Sequence, residues 1–299
     1  MNSFEGIWVP LVTPFKHGKI DVNAVQELAN YLVYSGVQGL VIGGTTGEGC
    51  ALDKNEQQLL LAAVHEAVGN YCPLLFGLSG INTREFVDKV KRLKPDLLSG
   101  FLVSTPAYIR PSQEGLRLHF SAIAAATELP LVLYNVPART GVNMNVDTVI
   151  ELAQSRQFAA IKECSEQTRD LVARTRMPVL CGNDETLLND LCLGASGAIS
   201  AAAHIRPDLF VHLYKLVSAG HINQAHRLFE QLLPMITLLF SEPNPAPVKA
   251  ALAVQGFITD SLRSPMTCMS ALGKAALFKE VERVMNIVAG YNQPAFLNR

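Results

Sequence analysis

Short apolar runs alternate with amphipathic stretches from the N-terminus to about position 200. The runs span residues 7–13, 37–42, 73–78, 99–104, 130–134, 158–162, 178–181 and 197–200. Several are almost continuously apolar, the pattern of parallel strands covered on both faces. The stretches between them carry helix-start signals. Asp53 with Glu56 and Asn82 with Glu85 each fit a capping box, and Pro111 with Ser112, Gln113 and Glu114 opens a further helix. Eight strand–helix alternations with short connections predict an α/β fold, a (β/α)8 TIM barrel. An open doubly wound sheet fits less well, because no dinucleotide-binding glycine fingerprint follows the first run. After Ala201 the strand pattern stops, and helices are expected over 207–218, 223–240, 246–255 and 268–289. The chain therefore divides into residues 1–225, a barrel carrying the active site, and residues 226–299, a C-terminal helical region packed on it. Since the barrel is complete without that region, packing or subunit contact is its expected role.

Composition narrows the function classes. The 299 residues are 49% hydrophobic and 17% charged, with a formal net charge of −1. Such a balance offers no electrostatic footprint for nucleic acid or an anionic membrane surface. No apolar stretch is long enough to span a bilayer, and the first residues lack the basic start and apolar core of a signal peptide. Six cysteines, at 50, 72, 164, 181, 192 and 268, show no CxxC pair. They read as reduced thiols in a cytoplasmic protein, with Cys50 and Cys164 as small buried residues. The seven histidines, at 17, 65, 119, 204, 212, 221 and 226, form no HExxH arrangement, and no metal is expected. His17, His65 and His221 lie in polar surroundings that suit the surface.

Lys162 closes the apolar run 158–162. Desolvation at a strand end lowers a lysine pKa and frees an amine that can form an imine with a carbonyl substrate. Taken alone, a strand-end lysine that snorkels into water is the commoner case. Three clusters bear on the choice. Gly43-Gly44-Thr45-Thr46-Gly47-Glu48-Gly49 follows the second run, where glycines bring N–H groups close and two threonines add hydroxyls, a set suited to a carboxylate. The Gly-Lys-Ser/Thr ending of a phosphate loop is missing; a plain glycine-rich turn is the alternative. Tyr134 leaves the fifth run and could relay protons. Arg139, between Pro137 and Gly141, offers a planar fork to a substrate carboxylate. Taken singly, they could equally be a core tyrosine and a solvated loop charge. Gly182-Asn183-Asp184 and the stretch 194–200, with Ile199 near its end, leave room for a ligand, although such glycines can simply ease barrel closure. All of these lie where barrel active sites lie, at the strands' C-terminal ends.

These motifs together resemble the dihydrodipicolinate synthase/N-acetylneuraminate lyase family of pyruvate-dependent barrels. The resemblance covers nearly the whole chain and rests on GGTTGEG at 43–49, TPAYIRPSQEGL at 105–116, YNVPARTG at 134–141, AIKE at 160–163, GND at 182–184 and EPNPAPVKAAL at 242–252. Arg139 and the EPNPAPVK segment are most similar to the synthase branch. The resemblance implies that Lys162 forms a Schiff base with pyruvate, whose enamine attacks L-aspartate 4-semialdehyde to give the cyclic precursor of lysine and diaminopimelate. It implies no cofactor beyond that covalent imine. Thr46, the backbone near Ile199, and Gly182 would hold pyruvate; Tyr134, Thr45 and Tyr108 would relay protons; Arg139 would attract the semialdehyde carboxylate. Tyr108 would reach in from a neighbouring subunit of a homotetramer, a dimer of dimers. A pyruvate-dependent aldolase of the same family, acting on a 2-keto-3-deoxy sugar acid or another aldehyde, is the alternative, and a non-catalytic barrel fits poorly with so many retained residues.

Two departures from the family pattern stand out. At the positions where feedback-inhibited synthases bind lysine stand Gly49, Cys50, Lys54, Gln57, Ile81 and Ala107, with Glu85 retained. A cationic Lys54 and an apolar Ile81 disfavour an ammonium ligand, so weak or absent lysine inhibition is expected. Trp8, Pro10, Leu78 and Ser79 replace smaller residues expected near the pyruvate end of the barrel.

Overall fold

The computed structural model describes residues 4–288. Its strands are β1 (Gly6–Pro10), β2 (Phe15–Lys16), β3 (Lys19–Ile20), β4 (Gly39–Ile42), β5 (Leu74–Leu78), β6 (Gly100–Ser104), β7 (Leu131–Asn135), β8 (Phe158–Glu163), β9 (Val179–Cys181) and β10 (Gly197–Ile199). β1 and β4 through β10 form one closed parallel barrel, and β10 returns to β1 through the pairs Gly6↔Gly197 and Trp8↔Ile199. β2 and β3 make a separate short hairpin. Closure bears out the predicted (β/α)8 barrel and removes the open-sheet alternative.

The period of two along each strand sorts the apolar residues into two cores. Trp8, Val41, Leu75, Leu102, Val132 and Leu180 fill the barrel. Their strand neighbours Ile7, Leu40, Leu74, Phe101, Leu131 and Val179 face the helices. Burying each such side chain contributes about 1.5–3 kcal/mol. Trp8 fits inside because Gly39 lies opposite: a Cβ there would stand 2.3 Å from the indole ring. The indole stacks on Phe4 with ring centroids 5.6 Å apart and donates from Nε1 to the Glu5 carbonyl at 3.1 Å. Trp8 thus belongs to the barrel floor, which corrects its expected place at the pyruvate end. Leu78 also turns away, into the core beneath the helices.

Helix starts follow the sequence with one difference. The Asp53 box is complete: its carboxylate accepts from Asn55 N and Glu56 N, and Glu56 accepts from Asp53 N, opening the helix Lys54–Val68. At Asn82 only the forward half forms, with Oδ1 accepting from Arg84 N at the start of Thr83–Arg92. Ser112 caps Gln113–Ala124. The C-terminal helices are Pro207–Ser218, Ile222–Leu239, Ala246–Val254 and Ala271–Met285. The last begins later than expected because Ser270, itself held by Glu242, accepts from Gly273 N as its cap; the expected end at Ala289 lies outside the described residues. Leu232, Met235, Leu252 and Leu277 share one core with the barrel's outer face. Arg206 pairs with Asp208 at 2.8 Å, both buried, and donates to the carbonyls of Val284, Met285 and Ile287. A buried guanidinium thereby ties the C-terminal end of the last helix to the barrel. Among the described residues no helix is long and apolar enough to cross a membrane.

Candidate active site

β7 and β8 pair with Tyr134 opposite Lys162. Strand alternation sends both side chains into the barrel, where Tyr134 joins the interior cluster with Ala160, Leu180 and Ile199. Lys162 is only 7% exposed, and its Nζ lies 4.7 Å from the Tyr134 ring centroid. Gly182 makes this possible. A Cβ at that residue would stand 2.8 Å from Lys162 Cε and 2.2 Å from Cys164 Sγ. The lysine is therefore enclosed, and snorkelling is not what it does here.

Its electrostatics are richer than simple desolvation. Burial is the largest single influence and pulls the ammonium pKa down, but the nearby acids Tyr134, Cys164 and Asp184 together carry it above the ordinary lysine value. The expected plain depression is corrected accordingly. Two of those acids help only as anions, and burial raises both: Tyr134 above its ordinary value despite Lys162, Arg139 and a hydrogen bond with Thr45, and Cys164 to about 11. Near neutrality both are protonated, so the ammonium loses most of that support. Asp184, buried, accepts from Ser200 Oγ and from the N–H groups of Ala201 and Ala202. Burial still raises its carboxyl, with the Ser200 bond and Lys162 acting in the opposite direction.

The glycine-rich segment forms the opposite wall. It folds back on itself closely enough that a Cβ at Gly49 would overlap the Gly43 carbonyl at 1.8 Å. Glu48 adopts a left-handed φ of 52° inside it. Thr13 Oγ1 donates to Gly47 O at 2.6 Å, holding the turn from the end of β1. Thr45 reaches Tyr134, and Thr46, buried, accepts from Asn244 Nδ2 at 3.0 Å. With its oxygen engaged, the Thr46 hydroxyl hydrogen is free to donate to a ligand. Behind the turn, Glu48 pairs with fully buried Lys249 and accepts from Arg263 N at 2.9 Å. Neither Asn244 nor the Glu48–Lys249 pair is singled out by sequence reasoning. The EPNPAPVK segment carried the signal, but nothing local says that its lysine is buried.

Between these walls opens a cavity of about 370 Å³, lined among others by Thr45, Ser104, Tyr134, Arg139, Asn244 and Met266. Lys162 lies beneath it, against Tyr134. A larger hollow of about 1060 Å³ runs between the first helix and the last and is lined by Tyr31, Phe257 and Phe278, remote from these groups. Chemistry, not volume, marks the smaller one. Arg139 sits on the one-turn helix Pro137–Thr140, ended by Gly141 at φ 76°. Ile199 ends β10 within the interior cluster.

Of the expected proton-relay residues, Thr45 and Tyr134 line the cavity and Tyr108 does not. Tyr108 is 85% exposed, at a positive φ of 71°, with its N–H donating to Thr140 O. The left-handed backbone of a bulky residue is costly and holds the ring outward. The cysteine expectation also needs correction: Cys50 is exposed at the cavity rim, bonded to Ser79 at 3.2 Å, and Cys164 is only partly buried beside Lys162. Of the histidines, His119 and His204 are buried, and burial lowers each to about 4, so both are neutral. Among the described residues no three His, Cys, Asp or Glu side chains converge in a metal-binding group.

A model of the dihydrodipicolinate synthetase family matches residues 3–284. The 4-hydroxy-tetrahydrodipicolinate synthase of Syntrophobacter fumaroxidans is 38% identical over 93% of this chain and 98% of its own length. That of Geobacter metallireducens is 37% identical over 94% and 100%. The crystal structure of dihydrodipicolinate synthase from Thermotoga maritima superposes with a TM-score of 0.91 at 34% identity, covering 93% of this chain and 98% of that one. The chloride-inhibited enzyme of Acinetobacter baumannii complexed with pyruvate gives 0.91 at 33%, covering 95% and 100%.

Proposed function

The chain belongs to the dihydrodipicolinate synthetase family, and we propose that it acts there as a 4-hydroxy-tetrahydrodipicolinate synthase, condensing pyruvate with L-aspartate 4-semialdehyde. The enclosed Lys162 amine facing Tyr134 is the observation that carries this reading. The neutral amine adds to pyruvate C2 and water leaves, giving an imine. Loss of a methyl proton turns the imine into an enamine, whose carbon attacks the aldehyde. The substrate's own amine then displaces Lys162 from C2, closing the ring and freeing the enzyme. Tyr134, bonded to Thr45, is placed to carry protons in these steps. Thr46 and the N–H groups of its turn, with the backbone near Ile199 and the space at Gly182, would take the pyruvate carboxylate.

Arg139 at the rim would take the carboxylate of the semialdehyde. The same cavity mixes apolar Val136, Ala107, Pro245, Pro265 and Met266 with the hydroxyls of Ser79, Ser104 and Ser264. The Arg139 fork favours an aldehyde with an anionic end.

Tyr108 would complete the relay from a second copy. Its exposure, together with half-exposed Ile81 and Ile109 nearby in the fold, supports assembly as a homotetramer of two tight dimers. The six free cysteines support a cytoplasmic location. Borohydride reduction in the presence of pyruvate is expected to leave one adduct per chain on Lys162, absent in Lys162→Ala, alongside turnover in a pyruvate-plus-semialdehyde assay. An unmodified intact mass would overturn the mechanism; an adduct without turnover of the semialdehyde would overturn the choice of aldehyde.

A further inference from the structure

The strand that carries Lys162 runs one residue past it, to Glu163, and the strand that carries Tyr134 likewise ends on Asn135. Asn135 pairs with Glu163 in the register that pairs Tyr134 with Lys162. Alternation turns the second pair outward, beneath the helices, where Asn135 is 0% and Glu163 1% exposed. A carboxylate and an amide in that layer, where their neighbours are apolar, are costly unless every polar atom is used.

They are used. Asn135 Nδ2 donates to both Glu163 oxygens, at 3.2 and 3.0 Å, and to Asn143 Oδ1 at 2.8 Å. Asn135 Oδ1 accepts from Met144 N at 3.0 Å. Glu163 also accepts from Ser165 N at 2.5 Å. Gln167 Nε2 donates to Asn143 Oδ1 and Met144 O, and Gln113 Nε2 donates to Asn143 O. One buried amide therefore joins the ends of β7 and β8 and anchors both ends of the segment 136–143, on which Arg139 is carried.

We propose that Asn135 and Glu163 are positioning residues for the reaction, the outward pair locking the inward pair of Tyr134 and Lys162 while Asn135 and Asn143 set the reach of Arg139. The proposal rests on the synthase reading of the site. Side chains on the two faces of a strand share one backbone, so an error in the outer pair moves the inner one. Bonding to Ser165 N gives Glu163 a further effect, because it fixes the Cys164 backbone beside Lys162. Burial raises the Glu163 carboxyl, and the bonds from Ser165 and Asn135 oppose that rise.

The polarity of the pair makes the test specific. Asn135→Asp sets two acceptors face to face, and Glu163→Gln sets two donors against each other at one edge. The double variant N135D/E163Q restores one donor–acceptor contact, with Ser165 N still accommodated by the glutamine carbonyl. Each single variant that keeps the parent's circular dichroism is expected to lose tenfold or more, on the order of 10²-fold, in kcat, with the double recovering a large part. Asn143→Ala, at the partly exposed edge of the network, is expected to raise KM for the semialdehyde while leaving the rate of borohydride trapping with pyruvate unchanged. Folded single variants with parental kcat, no recovery in the double, or an Asn143→Ala that slows pyruvate trapping and leaves the semialdehyde KM alone would overturn the proposal. Should a single variant not fold, Asn143→Ala decides by itself. Absence of an adduct in the parent enzyme would instead reject the synthase reading.

Discussion

At the scale of single residues, much of the site could be named from the chain because its chemistry is local. A glycine-rich turn with two threonines, a tyrosine and a lysine at strand ends, and an arginine beside proline are each short patterns, and the fold brings Thr45, Tyr134 and Arg139 to one cavity with Lys162 against Tyr134, while Tyr108 stands exposed outside it. What could not be read was charge state, because that depends on neighbours distant in sequence. Lys162 feels Tyr134 and Asp184, and the direction of its shift followed from those contacts. Gly182 is the residue on which the lysine's geometry depends. Gly182→Ala is expected to lower kcat about 100-fold, with the far-ultraviolet spectrum retained, because the added methyl would displace Lys162 Cε or Cys164 Sγ. His204 gives a pH signature. Its Nε2 accepts from Val12 N, and burial holds its pKa near 4 in the fold against about 6.5 unfolded. The unfolded chain therefore binds the proton first as pH falls. Stability is full above about 6.5 and is lost progressively toward pH 4, by roughly 3 kcal/mol for this residue. Urea unfolding across that range checks it, and His204→Asn should flatten the dependence on the acid side.

Among the elements, the C-terminal helices changed most in meaning. The chain reading gave them packing or subunit contact, since the barrel is complete before they begin. The structure gives this region a part in the site as well: Lys249 on the helix Ala246–Val254 neutralises Glu48, and from the connections on either side Asn244 holds Thr46 and Arg263 N–H completes the same carboxylate. These ties bridge some two hundred residues of sequence, so no periodicity or local motif could announce them. Burial lowers the Lys249 pKa, with Glu48 acting in the opposite direction. Lys249→Met is therefore expected to leave Glu48 buried without its partner and to cost about 3–5 kcal/mol. Pairing it with Glu48→Gln should recover much of that stability in urea titrations. If the pair also sets the carboxylate turn, the double variant will still show a raised KM for pyruvate.

For the whole molecule, the surroundings of Cys50 bear on the weak response to lysine expected from the sequence. Beside Cys50 lies Lys89, whose ammonium is lowered by desolvation and near which Arg92 adds a second positive charge. Gln57 is already engaged by Arg92 at 2.7 Å. Together with Lys54 and Ile81, these cations are expected to oppose binding of a free lysine ammonium. Turnover is expected to stay within 20% or so of its value in sub-millimolar lysine, since like charges across a site cost affinity; clear inhibition in a steady-state assay would contradict this. The amino-acid sequence by itself determined the eight barrel strands and their order, the ends at which chemistry gathers, and the family, but not the short β2–β3 hairpin. All of these follow from periodicities and short motifs, which are properties of neighbouring residues. The tertiary structure alone decided that Trp8 fills the floor opposite Gly39, that Lys162 is enclosed and coupled to its acids, and that Asn135 and Glu163 bond to each other behind Tyr134 and Lys162. Those outcomes depend on which side chains meet across strands and on how little water reaches them, and both are fixed only when the barrel closes.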